Sequence, residues 1–351
     1  MKFRILRAVA AGILLISVIG AVFGQRRRMG EFFPILSKGK WGFVDNRGTI
    51  IIEPRFEGAW YSLEGLARVQ VGDKYGYIDN SGKLVIPAEF ESTGDFSEGM
   101  AVAGRKLAKV GYIDKTGTFM IPERFDFAFE FSQGLAGVEI NNKWGFIDKT
   151  GAFVIKPQFD WVHSFSDDVA LVITSAKNLD SSEFPIKGKY GFVGRNGKLL
   201  ITPSYQWAGD FSDGLAPVKV KNKFGFINKA GKLVIPPNFD SADSFSDGLA
   251  VVRVGKKYGY IDKKGRFAIK PQFDAASYFN EGLAAVAFGE RFEEKWGYID
   301  TKGVIVIEPQ FDNALYFTGG VANASPASHG EIDGIWGYID QSGKFVWLRK
   351  D

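Results

Sequence analysis

The side chains able to do chemistry are unevenly supplied in this chain. Of 351 residues, 40 are Asp or Glu, two are His and none is Cys. Lacking Cys, the protein has no disulfides, no thiolate metal sites and no cysteine nucleophile. His163 and His329 stand in different segments. A metal site or a Ser-His-Asp triad built on either would need a long-range coincidence, and His163 falls at a variable loop position that reads as surface. No phosphate-cradling G-x-x-x-x-G-K-[ST] loop and no dinucleotide fingerprint is present. A pair of carboxylates is what glycoside hydrolysis requires. Here, however, the prominent acids recur as copies in like surroundings, whereas acid and base roles need unlike ones. The expectation is a non-enzymatic protein with no catalytic, cofactor-binding or metal site and no cofactor.

The most regular carboxylates sit in D-x-x-G, at Asp45/Gly48, Asp79/Gly82, Asp114/Gly117, Asp148/Gly151, Asp262/Gly265, Asp300/Gly303 and Asp340/Gly343. Calcium needs several oxygen ligands converging in one loop. Each of these turns offers one carboxylate, often beside Lys or Arg. A hairpin turn explains them better: the aspartate accepts backbone amides ahead of it, and glycine takes a positive φ without steric cost. Gly194 and Asn228 replace the aspartate in two further copies.

Those turns belong to a longer period. An aromatic-glycine pair precedes each one, at Trp41-Gly42, Tyr75-Gly76, Val110-Gly111 (aromatic lost), Trp144-Gly145, Tyr190-Gly191, Phe224-Gly225, Tyr258-Gly259, Trp296-Gly297 and Trp336-Gly337. Successive glycines are 34, 35, 34, 46, 34, 34, 38 and 40 residues apart. Residues 74–108 typify one unit, with strands over Lys74–Asp79, Lys83–Ile86 and Gly99–Ala103. Pro87 is expected to end the second strand. Phe90 and Phe96 should anchor the long connection between the second and third. In the F-[SN]-[DEQ]-G-L-A box Ser62 replaces the ring in the first copy, which marks an end unit. The glycine of each aromatic-glycine pair is expected to admit an aromatic ring from a neighbouring unit. Apolar residues on both strand faces require every unit to be covered by its neighbours.

The aromatic-glycine pairs, D-x-x-G turns, P-x-F-[DE] elements and F-S-[DE]-G-L-A boxes closely resemble the WG-repeat (KWG-repeat) family over about residues 31–351. That family is β-rich and associated with binding, and the resemblance transfers no active site. The expected fold is all-β: a tandem array of about eight to nine 34-residue, three-stranded antiparallel units. An open, curved superhelical array is favoured, with a closed propeller-like ring as the alternative. The array should form one domain over 29–351, with an insertion within about 174–187.

Residues 1–28 read as a signal peptide or membrane anchor, with Lys2, Arg4 and Arg7 before an uncharged run from Ala8 to Phe23. Export to the periplasm, the exterior or an outward-facing anchored position is expected, with membrane contact only through this segment. Beyond residue 28 there are 38 basic against 40 acidic side chains, a net charge of about −2, which argues against nucleic acid. Aromatic residues just after P-x-F-[DE] differ most between copies: Trp60, Phe129, Trp161, Trp207, Tyr278 and Tyr316. They are the candidate partner-binding surface. A protein partner at the cell envelope is the leading expectation, and glycan or cell-wall binding the alternative.

Overall fold

The computed structural model describes residues 32–106, 108–177, 187–289, 293–326 and 335–349. The N-terminal segment, most of the insertion and His329 lie outside them. The array consists of nine small antiparallel meanders. The fourth is representative, with strands Phe127–Ala128, Leu135–Ile140, Lys143–Asp148 and Phe153–Phe159 paired in that order. Most units therefore have a fourth strand beyond the three expected. It is two residues long and pairs Phe127 with Glu139 and Ala128 with Val138. Two units have three strands: the first, consisting of Phe33–Ser37, Lys40–Val44 and Ile50–Phe56, and the sixth, Leu215–Val220, Lys223–Asn228 and Leu233–Phe239, where Ala208 makes only an isolated bridge to Val218. The strand Ile305–Ala314 runs from the outer edge of the eighth unit into the short-strand position of the ninth, merging the two into one seven-stranded sheet.

The turns form as their residues dictate. Asp114 Oδ1 accepts the amides of Thr116 and Thr118, while Gly117 takes φ +86°. Asn228 accepts the equivalent pair. In seven of the nine copies the lysine before the aromatic-glycine pair reaches the acid of P-x-F-[DE] 17 residues on, as in Lys40–Glu57 (2.7 Å), Lys143–Asp160 (2.6 Å) and Lys257–Asp274 (2.6 Å). The second carboxylate oxygen takes a turn amide, that of Gly72, Ala176 or Gly289. Each such acid thus staples two strands of one unit to the hairpin of the next.

Two local expectations are corrected. The proline does not end the outer strand: Pro87 lies inside Leu84–Phe90. It occupies a bulge, because Tyr75 pairs with Phe90 while Tyr77 pairs with Ile86. The bulged backbone presses against the aromatic-glycine strand, so a Cβ on Gly76 would lie 2.6 Å from the Ile86 carbonyl oxygen. The invariant glycine accommodates its own unit's backbone, not a neighbour's ring.

Units stack face to face. The ring two residues after each aromatic-glycine position meets the phenylalanine of the F-S box, as in Tyr77–Phe96 (4.9 Å), Phe146–Phe165 (4.8 Å) and Tyr298–Phe317 (4.8 Å). The box serine donates to the next unit's phenylalanine carbonyl, Ser97 to Phe131 at 2.7 Å and Ser132 to Phe165 at 2.6 Å. Its acid caps the next unit's turn: Glu64 accepts the Gly99 amide, Glu98 that of Gly134, Asp213 that of Gly248, and Glu281 those of Gly319 and Gly320. The D-x-x-G glycines rest on the preceding unit's isoleucine, Gly82 on Ile52 and Gly303 on Ile269.

The two ends of the array meet. Gly48 of the first unit lies against the Val346 backbone of the ninth, and Trp41 stacks on Trp336 at 6.5 Å. Phe32 packs on Phe43 at 5.0 Å, replacing the ring that Ser62 does not supply. Phe33 packs on Tyr338 at 5.4 Å, and the Tyr338 hydroxyl donates to the Pro34 carbonyl at 3.0 Å. In the four other units with a tyrosine at this position the hydroxyl reaches a carbonyl 17 residues on, as Tyr112 does to Phe129. The all-β tandem array is therefore as expected, and the end contacts are those the ring arrangement requires. Among the described residues no strand pairing joins the first sheet to the last, so closure is by side-chain packing and no continuous barrel forms.

Gly76→Ala is expected to cost about 2 kcal/mol or more, because neither backbone can yield. Gly94→Ala, whose added Cβ would meet nothing nearer than 3.5 Å, should stay within about 0.5 kcal/mol. Thermal melts of the two variants decide this. Phe33→Ala should cost about 3 kcal/mol and speed amide exchange around Tyr338, leaving the fifth unit's protection unchanged.

Candidate interaction surface

Five residues after the anchoring ring of P-x-F-[DE], each connection presents one side chain along the edge where neighbouring units crowd together. In chain order these are Tyr61, Asp95, Glu130, Ser164, Asp210, Ser244, Tyr278 and Tyr316. Adjacent members touch or nearly touch. Tyr278 and Tyr316 lie 5.0 Å apart, and the Ser244 hydroxyl donates to the Asp210 carbonyl at 2.8 Å. This inner row is polar over most of its length. It turns aromatic only where the ring closes, at Tyr278, Tyr316 and Tyr61.

The aromatic stretch borders a small cavity of about 20 Å³ at the seam. Phe33, Tyr61, Tyr316 and Tyr338 form its walls, with Thr318 and Asn323 as polar members. Here the Pro34 carbonyl stands where another unit places the carbonyl of its connection, as Phe129 does for Tyr112. Tyr338 is fully enclosed and hydrogen-bonded to Tyr61, and burial pushes the pKa of its hydroxyl well up. It remains a donor across the physiological range. Tyr61 and Tyr316 are partly buried.

The six candidate aromatics do not form one surface. Trp161 and Trp207 lie two residues past the anchoring ring, Trp60 and Phe129 four past it, and Tyr278 and Tyr316 five past it. Their side chains consequently fall in different places. Phe129 stacks on Trp144 at 4.5 Å, and Trp161 closes on the same indole at 5.2 Å. Both act as lids over the fourth unit's core. Trp207 packs 5.2 Å from Phe224, and Trp60 lies under the Arg68 guanidinium at 4.2 Å. Only Tyr316 lines the seam, with Tyr278 against it at 5.0 Å. Counting the offset from the P-x-F anchor would have separated them. Tyr61, Phe33 and Asn323 escaped notice because their role depends on the ends meeting.

His163 is also corrected. It is buried, 6% exposed, with Nδ1 2.9 Å from a carboxylate oxygen of Asp210, itself 5% exposed. The two residues are 47 apart in sequence and link the fifth unit to the sixth. Of the insertion, only the strand ends at Thr174–Lys177 and Lys187 fall within the described residues.

Charge in the turns and staples follows hydrogen bonding. The hydroxyls of Ser81, Thr116 and Thr150 hold Asp79, Asp114 and Asp148 below the usual carboxylate range. The partner lysines do the same for Glu57, Asp240 and Asp274. A lowered folded-state pKa stabilises the fold above the unfolded value, and that contribution is lost as pH falls through the lowered value. The melting temperature should therefore hold between about pH 7 and 5 and drop progressively below about pH 4. Replacing Asp79, Asp114 and Asp148 together by Asn should flatten that acid limb. An unchanged slope would exclude the turn carboxylates as its source.

The family described as WG containing repeat matches residues 41–75, 75–103, 111–144, 144–174, 190–224, 224–258, 258–291 and 296–325. No curated protein matches the chain. Among solved structures, a eukaryotic initiation factor is similar with a TM-score of 0.63 at 12% identity, covering 91% of this chain and 96% of that one. BamB from Moraxella catarrhalis reaches a TM-score of 0.42 at 9% identity, covering 80% and 92%. At these identities the first likeness speaks for fold alone and the second carries no argument.

Proposed function

The chain belongs to the WG-repeat family, and on that premise we propose that it is a non-enzymatic scaffold, exported to the cell envelope, that binds another protein across the seam of its ring. The observation carrying this reading is the coincidence of two departures from the repeat. The first unit lacks the short strand, and the inner row turns to tyrosine only beside the cavity at that seam. Half-buried tyrosines around a concave, mainly apolar site have the character of an interaction hot spot: large contact area, few rotatable bonds and a hydroxyl to place. Asn323 and Thr318 add the polar groups that would fix a partner's orientation. Export is supported by the basic and then apolar pattern of the first 23 residues.

The test is a photo-crosslinking residue placed at Tyr316, with a second at Asn222 on a distant turn as control. A single partner captured at 316 and not at 222 is the expected result. Tyr278→Ala and Tyr316→Ala should then weaken that partner's binding by about 2 kcal/mol each, roughly 30-fold, without moving the melting temperature. Capture unaffected by both substitutions would remove the seam as the binding surface.

A further inference from the structure

The outer strand of every unit from the first to the eighth begins with apolar side chains of which at least one is exposed. Leu84-Val85, Leu199-Leu200 and Leu233-Val234 are each 36–43% exposed, and Met120 reaches 58%. Among the described residues, 15 of the 19 exposed large apolar side chains belong to this one level of the ring. A soluble surface rarely gathers so much apolar area without an interaction to occupy it. The same strands are shielded against pairing with another chain by their internal proline and bulge, so an added β-strand does not explain the belt.

Apart from the seven aspartates that open them, the turns beside the belt carry charge of one sign. The two middle residues of the nine D-x-x-G-type turns include eight Lys or Arg and no Asp or Glu. The residue after the turn glycine adds five more, again with no acid. Lys83, Lys198 and Lys232 directly precede the three Leu pairs named above. Several of these basic side chains also bond inward, Lys115 to Glu64 and Lys149 to Glu98, both at 3.2 Å. The turn aspartates spend Oδ1 on their own backbone amides. Along this rim Lys83, Lys198 and Lys232 are followed, within about 7 Å along the strand, by exposed aliphatic side chains.

We propose that this rim seats on an anionic lipid surface, with the lysines at the headgroups and the Leu, Val and Ile pairs in the interfacial layer. Peripheral membrane elements pair these same two features, apolar side chains reaching about 5–10 Å below the headgroups and basic residues beside them. The geometry suits a flat surface because the repeat sets all the pairs at one level, so several units engage at once. The inference concerns a different face from the seam and stands apart from the partner reading above.

The chain has no cysteine, so a single introduced thiol reports one place. The full-length protein carries Leu84→Cys, Leu200→Cys or Lys256→Cys, the last on an exposed turn at the opposite end of the strands, each bearing an environment-sensitive fluorophore. The probes are vesicles of phosphatidylglycerol with phosphatidylcholine, and vesicles of phosphatidylcholine alone. The expected result is a blue shift at 84 and 200 with the anionic vesicles, reversed by salt, and none at 256. Changing Lys83, Lys198 and Lys232 together to Glu should weaken the response at least about tenfold, since each basic residue near such a surface is worth about 1 kcal/mol. Three outcomes would overturn the proposal: equal shifts at all three labels, equal shifts with neutral vesicles (as contact through the N-terminal segment alone would give), or no shift at 84 and 200. Binding of the rim to an acidic protein with no vesicle response would also overturn it.

Discussion

Every unit of this protein is apolar on both faces of a thin sheet, and that single constraint organises the rest. A sheet exposed on either side would leave rings such as Phe146 or Tyr298 in water, so each unit needs two neighbours and an array with free ends is penalised at both. The structure resolves this by letting three consecutive residues do the work of absent neighbours. Phe32 completes the first unit, while Phe33 and Pro34 complete the ninth. What would be two exposed terminal faces becomes one more interface between sheets.

Much of this was legible from the chain. Asp and Gly at fixed spacing specify a turn through local hydrogen bonds and one positive φ, so the D-x-x-G hairpins appear where expected. The period and the two-faced strands likewise announced a stacked all-β array. The misreadings share a cause. Phe127-Ala128 and its counterparts are too short to show strand periodicity and pair only because the connection is pressed against its own sheet. The aromatic-glycine pairs and Pro87 were read as separate signals, although they are two sides of one bulge. His163 meets Asp210 across two units, which no local pattern reveals.

The candidate site was legible only in part, and for the same reason. Choosing aromatics by proximity to P-x-F-[DE] gathered side chains of three different offsets, and in a β-rich connection one residue of offset reverses direction. Tyr278 and Tyr316 lie on the inner row, whereas Phe129 and Trp161 cover core. The seam itself is a property of the closed arrangement, so Tyr61 and Phe33 gain significance only once residues about 300 apart in sequence are placed side by side.

The acid-to-glycine contacts between units have a direction. Each box acid reaches forward to the next unit's turn, from Glu64 onward to Glu281, and the last box carries Gly319 where the acid would be. The ring is thus fastened by a succession of one-way clasps with a single clasp missing, at the junction between its end and its beginning. That junction relies on aromatic packing and one tyrosine hydroxyl, neither of which responds to acid or salt as carboxylate contacts do. Conditions that loosen the rest of the ring evenly would therefore spare the seam, while loss of hydrophobic stabilisation in the cold would weaken it. A structure of nearly equal parts acquires in this way one joint that obeys different chemistry from all the others.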